Sequence, residues 1–394
     1  MLTFCIVLFW ILFALVFYTY VGYGILLGIL VLLKRKFGKK KVQKQITEWP
    51  DVTLVICAYN EELVVDEKMA NCRSLLYPEG KLHILWVTDG SNDHTNEKLA
   101  FYPEVKILFS PERKGKTAAL NHAATVLATP YTLYTDANTM LNADAVYEMV
   151  NCFLQDEKVG CVAGEKRIAQ KAEDNAAGGG EGIYWKYEST LKRWDSELYS
   201  TMGAAGELFG IRTELWQNME EDTLLDDFIL SMRLVERGYT IAYCKTAYAI
   251  EGGSANMQEE AKRKVRIAAG GLQSIWRLRS LLNPFPHPLL TFQYVSHRVL
   301  RWSITPFALF ALIPLNVAIV LMNGGTLYII LWILQILFYA AAFAGYYLQS
   351  KQIKNKFLYV PYYFLFMNVN VLEGIAYLRK KRKGSGVWEK AKRA

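Results

Sequence analysis

Residues 2–33 carry no charge at all. A run this apolar gains free energy only by leaving water, and a membrane-spanning helix needs only ~20 such residues. The run is too long for the core of a signal peptide, and no small-residue cleavage site is obvious. Lys34, Arg35, Lys36, Lys39, Lys40, Lys41 and Lys44 follow it directly. By the positive-inside rule these residues lie in the cytoplasm and the N-terminus outside, and they suit an anionic leaflet surface. Nucleic acid is not expected as their partner, because the stripe abuts a membrane helix. Thr305 to Met322 and Thr326 to Leu348 are two further spans, separated by the turn Asn323-Gly324-Gly325. Lys351, Lys354 and Lys356 mark a return to the cytoplasm. Phe357 to Leu378 is ambiguous: it carries Pro361, Asn368, Asn370 and Glu373 and runs into Arg379-Lys380-Lys381-Arg382-Lys383. Spanning, re-entrant and interfacial placements all stay open for it. The break at 283–288 precedes Leu289 to Trp302, which reads as a basic, aromatic-rich helix on the membrane surface.

The 394 residues, 52% hydrophobic with net charge +8, therefore divide as follows. A transmembrane helix at 1–34 leads through a basic linker at 35–50 into a cytosolic domain at 51–280. An interfacial segment at 281–304, membrane helices at 305–378 and a basic tail at 379–394 complete the chain. The expected setting is the plasma (inner) membrane with the domain cytoplasmic. The six cysteines are scattered singly, without a Cys-x-x-Cys pair, so no disulfide framework or zinc site is indicated. They read as small core residues in a reducing compartment. The five histidines are isolated, and none is assigned to a metal.

The domain alternates strand and helix signals, which argues for a parallel sheet with helices on both faces. Val52 to Ala58 is a β-branched run, followed by Tyr59-Asn60-Glu61-Glu62 and a helix with acids in its first turn. His83 to Thr88 ends at Asp89-Gly90-Ser91-Asn92-Asp93. Val105 to Phe109 precedes Arg113-Lys114-Gly115-Lys116 and a helix from Thr117 to Ala128. Tyr131 to Thr135 ends at Asp136-Ala137-Asn138. Ligands of open α/β sheets sit at the C-terminal ends of the strands. Three such ends carry Tyr59, Asp89 and Asp136, which makes this rim the expected site. Tyr59 could stack on a nucleobase, and Asp89 could accept from a base or ribose. Lys116 could meet phosphate at a helix N-terminus. Asp136 and Asn138 offer oxygen ligands to Mg²⁺ or Mn²⁺, which reach proteins through one or two carboxylates plus substrate phosphates. Neither a Walker loop nor a dinucleotide-binding glycine fingerprint is present.

Together, Ala58-Tyr59-Asn60-Glu61, Thr88-Asp89-Gly90-Ser91-Asn92-Asp93, Gly115-Lys116-Thr117-Ala118-Ala119-Leu120-Asn121 and Thr135-Asp136-Ala137-Asn138 resemble the membrane-bound family-2 glycosyltransferases, of the cellulose and poly-N-acetylglucosamine synthase type. The resemblance covers about residues 51–280. It implies a GT-A fold, an α/β, Rossmann-like, mainly parallel sheet, with a nucleotide-sugar donor, most often a UDP-sugar, and inversion at the anomeric carbon. On that reading Tyr59, Glu61, Asp89, Lys116 and Asp136 bind the donor, and Asp136 and Asn138 the metal. Asn138 departs from the family's usual aspartate and ligates without charge.

Past Asn142 to Leu154 (helix) and Gly160 to Gly164 (strand), Gln170 to Gly182 is a lid or a plain surface loop. Ile183 to Leu198 carries Tyr184, Trp185, Tyr187, Leu191 and Trp194, which face the core, a sugar or the membrane. Gly203 to Gly210 is a small-residue strand open to close approach. Asp226 and Asp227 open a helix that ends before Gly238. Helix dipole and capping alone favour acids there, but Thr223-Leu224-Leu225-Asp226-Asp227-Phe228 resembles the family segment that carries the general base. Asp226 aligns with the usual glutamate, and Asp227 is the expected base. Arg263-Lys264-Val265-Arg266-Ile267 lies where polymerising members carry Gln-x-x-Arg-Trp. Arg266 matches the arginine expected on the diphosphate. Arg263 replaces the glutamine, as a second donor contact, and Ile267 replaces the tryptophan. The expected acceptor is a growing glycan or a lipid-linked acceptor within reach of membrane lipids. A single-addition glycolipid synthase and a scaffold subunit of an assembly complex are the alternatives.

Overall fold

The computed structural model describes residues 1–38, 44–169, 178–252, 256–351, 353 and 355–381. Lys39, Lys40, Lys41, Lys354, residues 170–177 of the expected loop and the tail from 382 lie outside the described residues, as do the side chains of 178–184.

The uncharged run forms α1 (Leu2–Phe17), a π turn (Tyr18–Gly22) and α2 (Tyr23–Phe37), one helix of 36 residues. At ~1.5 Å per residue it is about 54 Å long, against a hydrocarbon core of ~30 Å. Its halves pack differently. Phe9 of α1 is buried among Leu312, Ile319 and Tyr328, and Trp10 Nε1 donates to the Tyr328 hydroxyl at 3.0 Å. Tyr23, Leu27 and Val31 of α2 pack instead on Leu191 and Leu198 of the α/β domain. At the end of α2, Lys34 Nζ donates to the carbonyls of Glu197 and Leu198 at 2.8 and 2.7 Å, and Arg35 pairs with Glu197 at 2.6 Å. The span expected over 1–34 is a helix over 2–37 whose second half packs on the domain.

The domain follows the chain as β1 (Val52–Ala58), α3 (Val65–Arg73), β2 (Leu82–Asp89), α4 (Thr95–Leu99), β3 (Val105–Ser110), α5 (Lys116–Ala124), β4 (Tyr131–Asp136), β5 (Thr139–Leu141), α6 (Ala145–Gln155), β6 (Val159–Ile168), α7 (Gly178–Leu198), β7 (Leu208–Arg212), α8 (Asp226–Glu236), β8 (Thr240–Glu251) and α9 (Met257–Arg277). The strand order is β3-β2-β1-β4-β7-β6-β8-β5. β1 to β4 are parallel, as expected. β7 then enters antiparallel to both β4 and β6, and β5 pairs antiparallel with β8. The sheet is therefore mixed, with its parallel half at the expected site. β8 has no counterpart in the sequence reading. Its pairing with β6 skips from Cys244 to Tyr248, so the two-residue alternation that marks a strand is broken there. Apolar cores line both faces of the sheet.

α10 (Pro288–Tyr294), a π turn (Val295–Val299) and α11 (Leu300–Trp302) occupy the expected interfacial segment. Leu290, Gln293, Tyr294, Ser296 and His297 are buried. The face expected to lie on a membrane surface is thus covered by protein. α12 (Ile304–Leu321) and α13 (Thr326–Ser350) fall where the two apolar spans were expected. Among the described residues, the helix over 2–37, α12 and α13 are the three long and apolar enough to cross a membrane. α14 (Lys356–Lys381) is not among them. It runs from α13, where a Cβ on Gly345 would meet the Leu358 carbonyl at 2.2 Å, to α9, where a Cβ on Gly374 would meet Ala268 at 2.7 Å. Segment 357–378 therefore joins the membrane helices to the domain.

Candidate active site

Parallel register brings the strand ends to one rim. Cys57 on β1 pairs with Asp136 on β4, and Ala58 with Thr88 on β2. Beyond β1 the chain turns at Asn60, whose φ of 54° is left-handed. Asn and Asp tolerate that region better than other side chains. Asn60 exchanges hydrogen bonds of 2.7 and 3.0 Å with Asn92, tying the loops after β1 and β2. Glu61 lies in the same turn, its amide donating to Thr95 Oγ1 at 2.9 Å. The helix expected to open there begins at Val65, as α3. The Arg113 guanidinium covers one face of the Tyr59 ring at 3.7 Å. Buried Asp89 accepts from the amides of Lys114 and Gly115 at 2.8 and 2.7 Å. Its first task is to hold the 113–116 loop. Each carboxylate oxygen has a second lone pair with which to accept from a ligand.

Gly115, with φ +98°, precedes Lys116, the first residue of α5. Lys116 Nζ donates to Asp136 Oδ1 at 2.7 Å and lies 4.0 Å from Asp226 Oδ2. A Cβ on Gly206 would sit 3.2 Å from Lys116 Nζ and 3.4 Å from Asp227 Oδ2. Carboxylates from β4 and α8, ninety residues apart in sequence, therefore surround one ammonium. Burial opposes that charge, yet Asp136 and Asp226 outweigh it and hold the Lys116 pKa above its ordinary value. Asp227 behaves oppositely. Burial and the neighbouring Asp226 push it up to about 7, against the pull of Lys116. Its Oδ1 accepts the Phe228 amide at 2.8 Å. Arg266 faces the same acids: burial and Arg263 lower its pKa, while Asp226, Asp136 and Asp227 raise it. Arg263, expected on the donor, donates to Glu207 Oε1 at 3.0 Å. It belongs to a buried network in which Lys166 bridges Glu207 and Glu251.

Sequence reasoning missed that network, and it missed Lys68. The signal for Lys68 was there: a lysine in the apolar stripe Val65, Met69, Cys72 of α3. It also missed the cluster of Glu188, Asp195, His297, Arg298 and Arg301, which lies far apart in sequence.

The donor set suits a hard divalent cation. Asp136 offers a carboxylate and half-buried Asn138, in the β4–β5 turn, an amide oxygen. Asp226 Oδ2 is buried without a hydrogen-bond partner. A positive charge, that of Lys116, already stands among these oxygens. Among the described residues no group of three or more His, Cys, Asp or Glu side chains forms a closed cage.

Residues 53–218 match the family model for glycosyl transferase family 2. The chain carries a family 2 glycosyltransferase domain. Over 249 residues the chain is 27% identical to the poly-β-1,6-N-acetyl-D-glucosamine synthase of Staphylococcus aureus (strain COL), an alignment covering 60% of this chain and 58% of that one. It is also 27% identical over 242 residues to the Bacillus subtilis (strain 168) protein named probable glycosyltransferase YdaM, covering 58% of this chain and 57% of that one. The chain thus spans little more than half the length of these curated relatives. A mannosyltransferase from Pyrobaculum calidifontis, solved with GDP-mannose and Mn²⁺, superposes with a TM-score of 0.70 at 19% identity, covering 95% of this chain and all of that one. That likeness is one of fold, and the fold is GT-A.

Proposed function

We propose that the domain transfers a sugar, with inversion, from a nucleotide-sugar to a growing polysaccharide or lipid-linked acceptor at the cytoplasmic membrane face. The observation that carries this is the convergence of Asp136, Asp226 and Asp227 on Lys116. The acceptor hydroxyl oxygen attacks the anomeric carbon as the bond from that carbon to the diphosphate oxygen breaks. The hydroxyl proton passes to Asp227, and the nucleoside diphosphate leaves. Lys116 and Arg266 face the leaving diphosphate, where fixed positive charge lowers the barrier. Asp136 and Asn138 would hold a divalent cation, which supplies further charge compensation there. UDP-N-acetylhexosamine, followed by UDP-hexose, is the first donor to test, given the polymer in the staphylococcal relative's name.

A single-addition glycolipid synthase is the second reading, favoured by Ile267 where polymerising members carry tryptophan. Purified protein given Mn²⁺, membrane lipid and radiolabelled UDP-N-acetylglucosamine is expected to release UDP and yield a polymer by size analysis. A labelled single-sugar lipid would establish the second reading, and no turnover of any UDP-sugar would sink both. The pH profile is a separate prediction. Because the base must be ionised, kcat/KM is expected to rise with pH through about 7, the value to which Asp227 is pushed. A rising limb near pH 4 would remove Asp227 from that role.

A further inference from the structure

α3 turns Val65, Lys68, Met69 and Cys72 inward, and Lys68 has 0% of its surface exposed. A buried charge is ordinarily paired with an opposite one. Among the described residues Lys68 has no carboxylate partner: its Nζ donates to the Thr139 carbonyl at 2.5 Å and approaches the Thr135 hydroxyl at 3.4 Å, both neutral. Burial draws its pKa down to about 8, while Cys72 and Asp136 act in the opposite sense. A methionine would fill the same stripe without that desolvation. The lysine is therefore explained by what its ammonium holds.

What it holds is the turn between β4 and β5. Thr135 and Thr139 bracket Asp136, Ala137 and Asn138. The Thr135 hydroxyl also meets Thr139 Oγ1 at 2.8 Å and the Glu207 carbonyl at 2.9 Å. Thr139 Oγ1 donates to the Asp136 carbonyl at 2.9 Å. Glu207 in turn follows Gly206, the residue set against Lys116 and Asp227. Lys68 closes this ring of hydrogen bonds from beneath the sheet, while Asp136 meets Lys116 on the rim.

We propose that Lys68 is a positioning residue of the donor site, its buried ammonium clamping the turn that presents Asp136 and Asn138 to the nucleotide diphosphate and its cation. The proposal rests on the glycosyltransferase reading above. A clamp of this kind acts on ligands through the group it holds, and removing such a partner weakens metal binding by roughly 10–100-fold.

The test is calorimetric titration of the full-length protein in detergent with UDP plus Mn²⁺, and separately with GDP plus Mn²⁺. Wild type, Lys68→Met and Lys68→Gln are compared, with the Tm of each recorded. Lys68→Met is expected to weaken nucleotide–Mn²⁺ binding within that range while the Tm stays close to wild type. Lys68→Gln, which keeps a donor for the Thr139 carbonyl, is expected to recover part of the affinity. Wild-type affinity in Lys68→Met would overturn the clamp and leave the glycosyltransferase reading standing. So would a loss that merely follows a fall in Tm, equal in both variants. If the wild type itself bound neither nucleotide, the donor reading would fall and the clamp with it.

Discussion

Asp227→Asn is expected to lower turnover by roughly 10²–10⁴, the usual contribution of a general base, and to leave nucleotide binding near the wild-type level. Asparagine keeps the shape of the side chain and its acceptance of the Phe228 amide, a 2.8 Å bond in the native chain. It loses only the ability to take the acceptor's proton. The same substitution has a stability signature of opposite sign. The native carboxyl is raised from an ordinary aspartate value to about 7, first by burial and then by Asp226. Between those two values the folded state binds more protons than the unfolded one, so native stability falls as pH rises through that window. Above the window the native protein carries a half-buried ionised group beside Asp226 that the variant lacks. The variant is therefore expected to melt higher than wild type at pH 8 and to show no such advantage at pH 4. Turnover within a few-fold of wild type would remove Asp227 as base. A Tm difference independent of pH would show that its environment does not raise its pKa. Gly206 offers a control on the crowding, because a side chain there would press on both Lys116 and Asp227.

Much of this site was legible in the sequence for a physical reason. A parallel strand that ends on a ligand rim must end abruptly, and Tyr131 to Asp136 passes from an apolar run to a carboxylate within one residue. β1 has the bounds expected of it, because a strand buried on both faces is a continuous apolar run. The limits are equally physical. Whether Arg263 points at a donor or into the protein depends on what lies opposite, and Glu207 is 56 residues away. Asp89 has the strand-end position of a ligand contact, yet the amides that reach it come from the 114–115 loop. The interfacial reading of Leu289 to Trp302 rested on amphipathicity, which records only that one face avoids water. Whether lipid or protein covers that face is a tertiary fact, and here α7 and α2 cover it. The long helix over 2–37 illustrates the same limit. Its composition marks it as apolar throughout, but only the packing of Tyr23, Leu27 and Val31 on α7 shows where it joins the domain.

Glu188→Ala is expected to destabilise the protein by about 3–5 kcal/mol, the range for removing one partner of a buried ion pair. Glu188 has 3% of its surface exposed and accepts from three cationic or ionisable groups. Arg298 and Arg301 reach it at 2.9 Å each, and His297 Nε2 lies 3.1 Å away. Burial opposes its charge, yet Arg298, His297 and Arg301 hold its pKa well below the ordinary glutamate range. Alanine would leave the two guanidinium groups facing a cavity with no anion between them. The consequence reaches past α7. The other nitrogen of His297 meets Asp195, which also accepts from Gln293 at 3.0 Å and from the Tyr23 hydroxyl of the long N-terminal helix. Arg298 Nε donates to the Met202 carbonyl at 2.9 Å, one residue before Gly203, where φ is +91° and a side chain would strike Phe228. From Gly203 the chain runs to Gly206, which lies against Lys116 and Asp227. One buried cluster thus fastens the long N-terminal helix, α7, the 288–302 helix and the wall of the candidate site together. Thermal unfolding in detergent would read the expected loss directly. Glu188→Gln, which keeps two hydrogen-bonding groups but no charge, should fall between wild type and alanine. If Gln and Ala were equally destabilising, the missing charge would be the whole effect. If both melted with the wild type, the cluster would not be what holds these elements together.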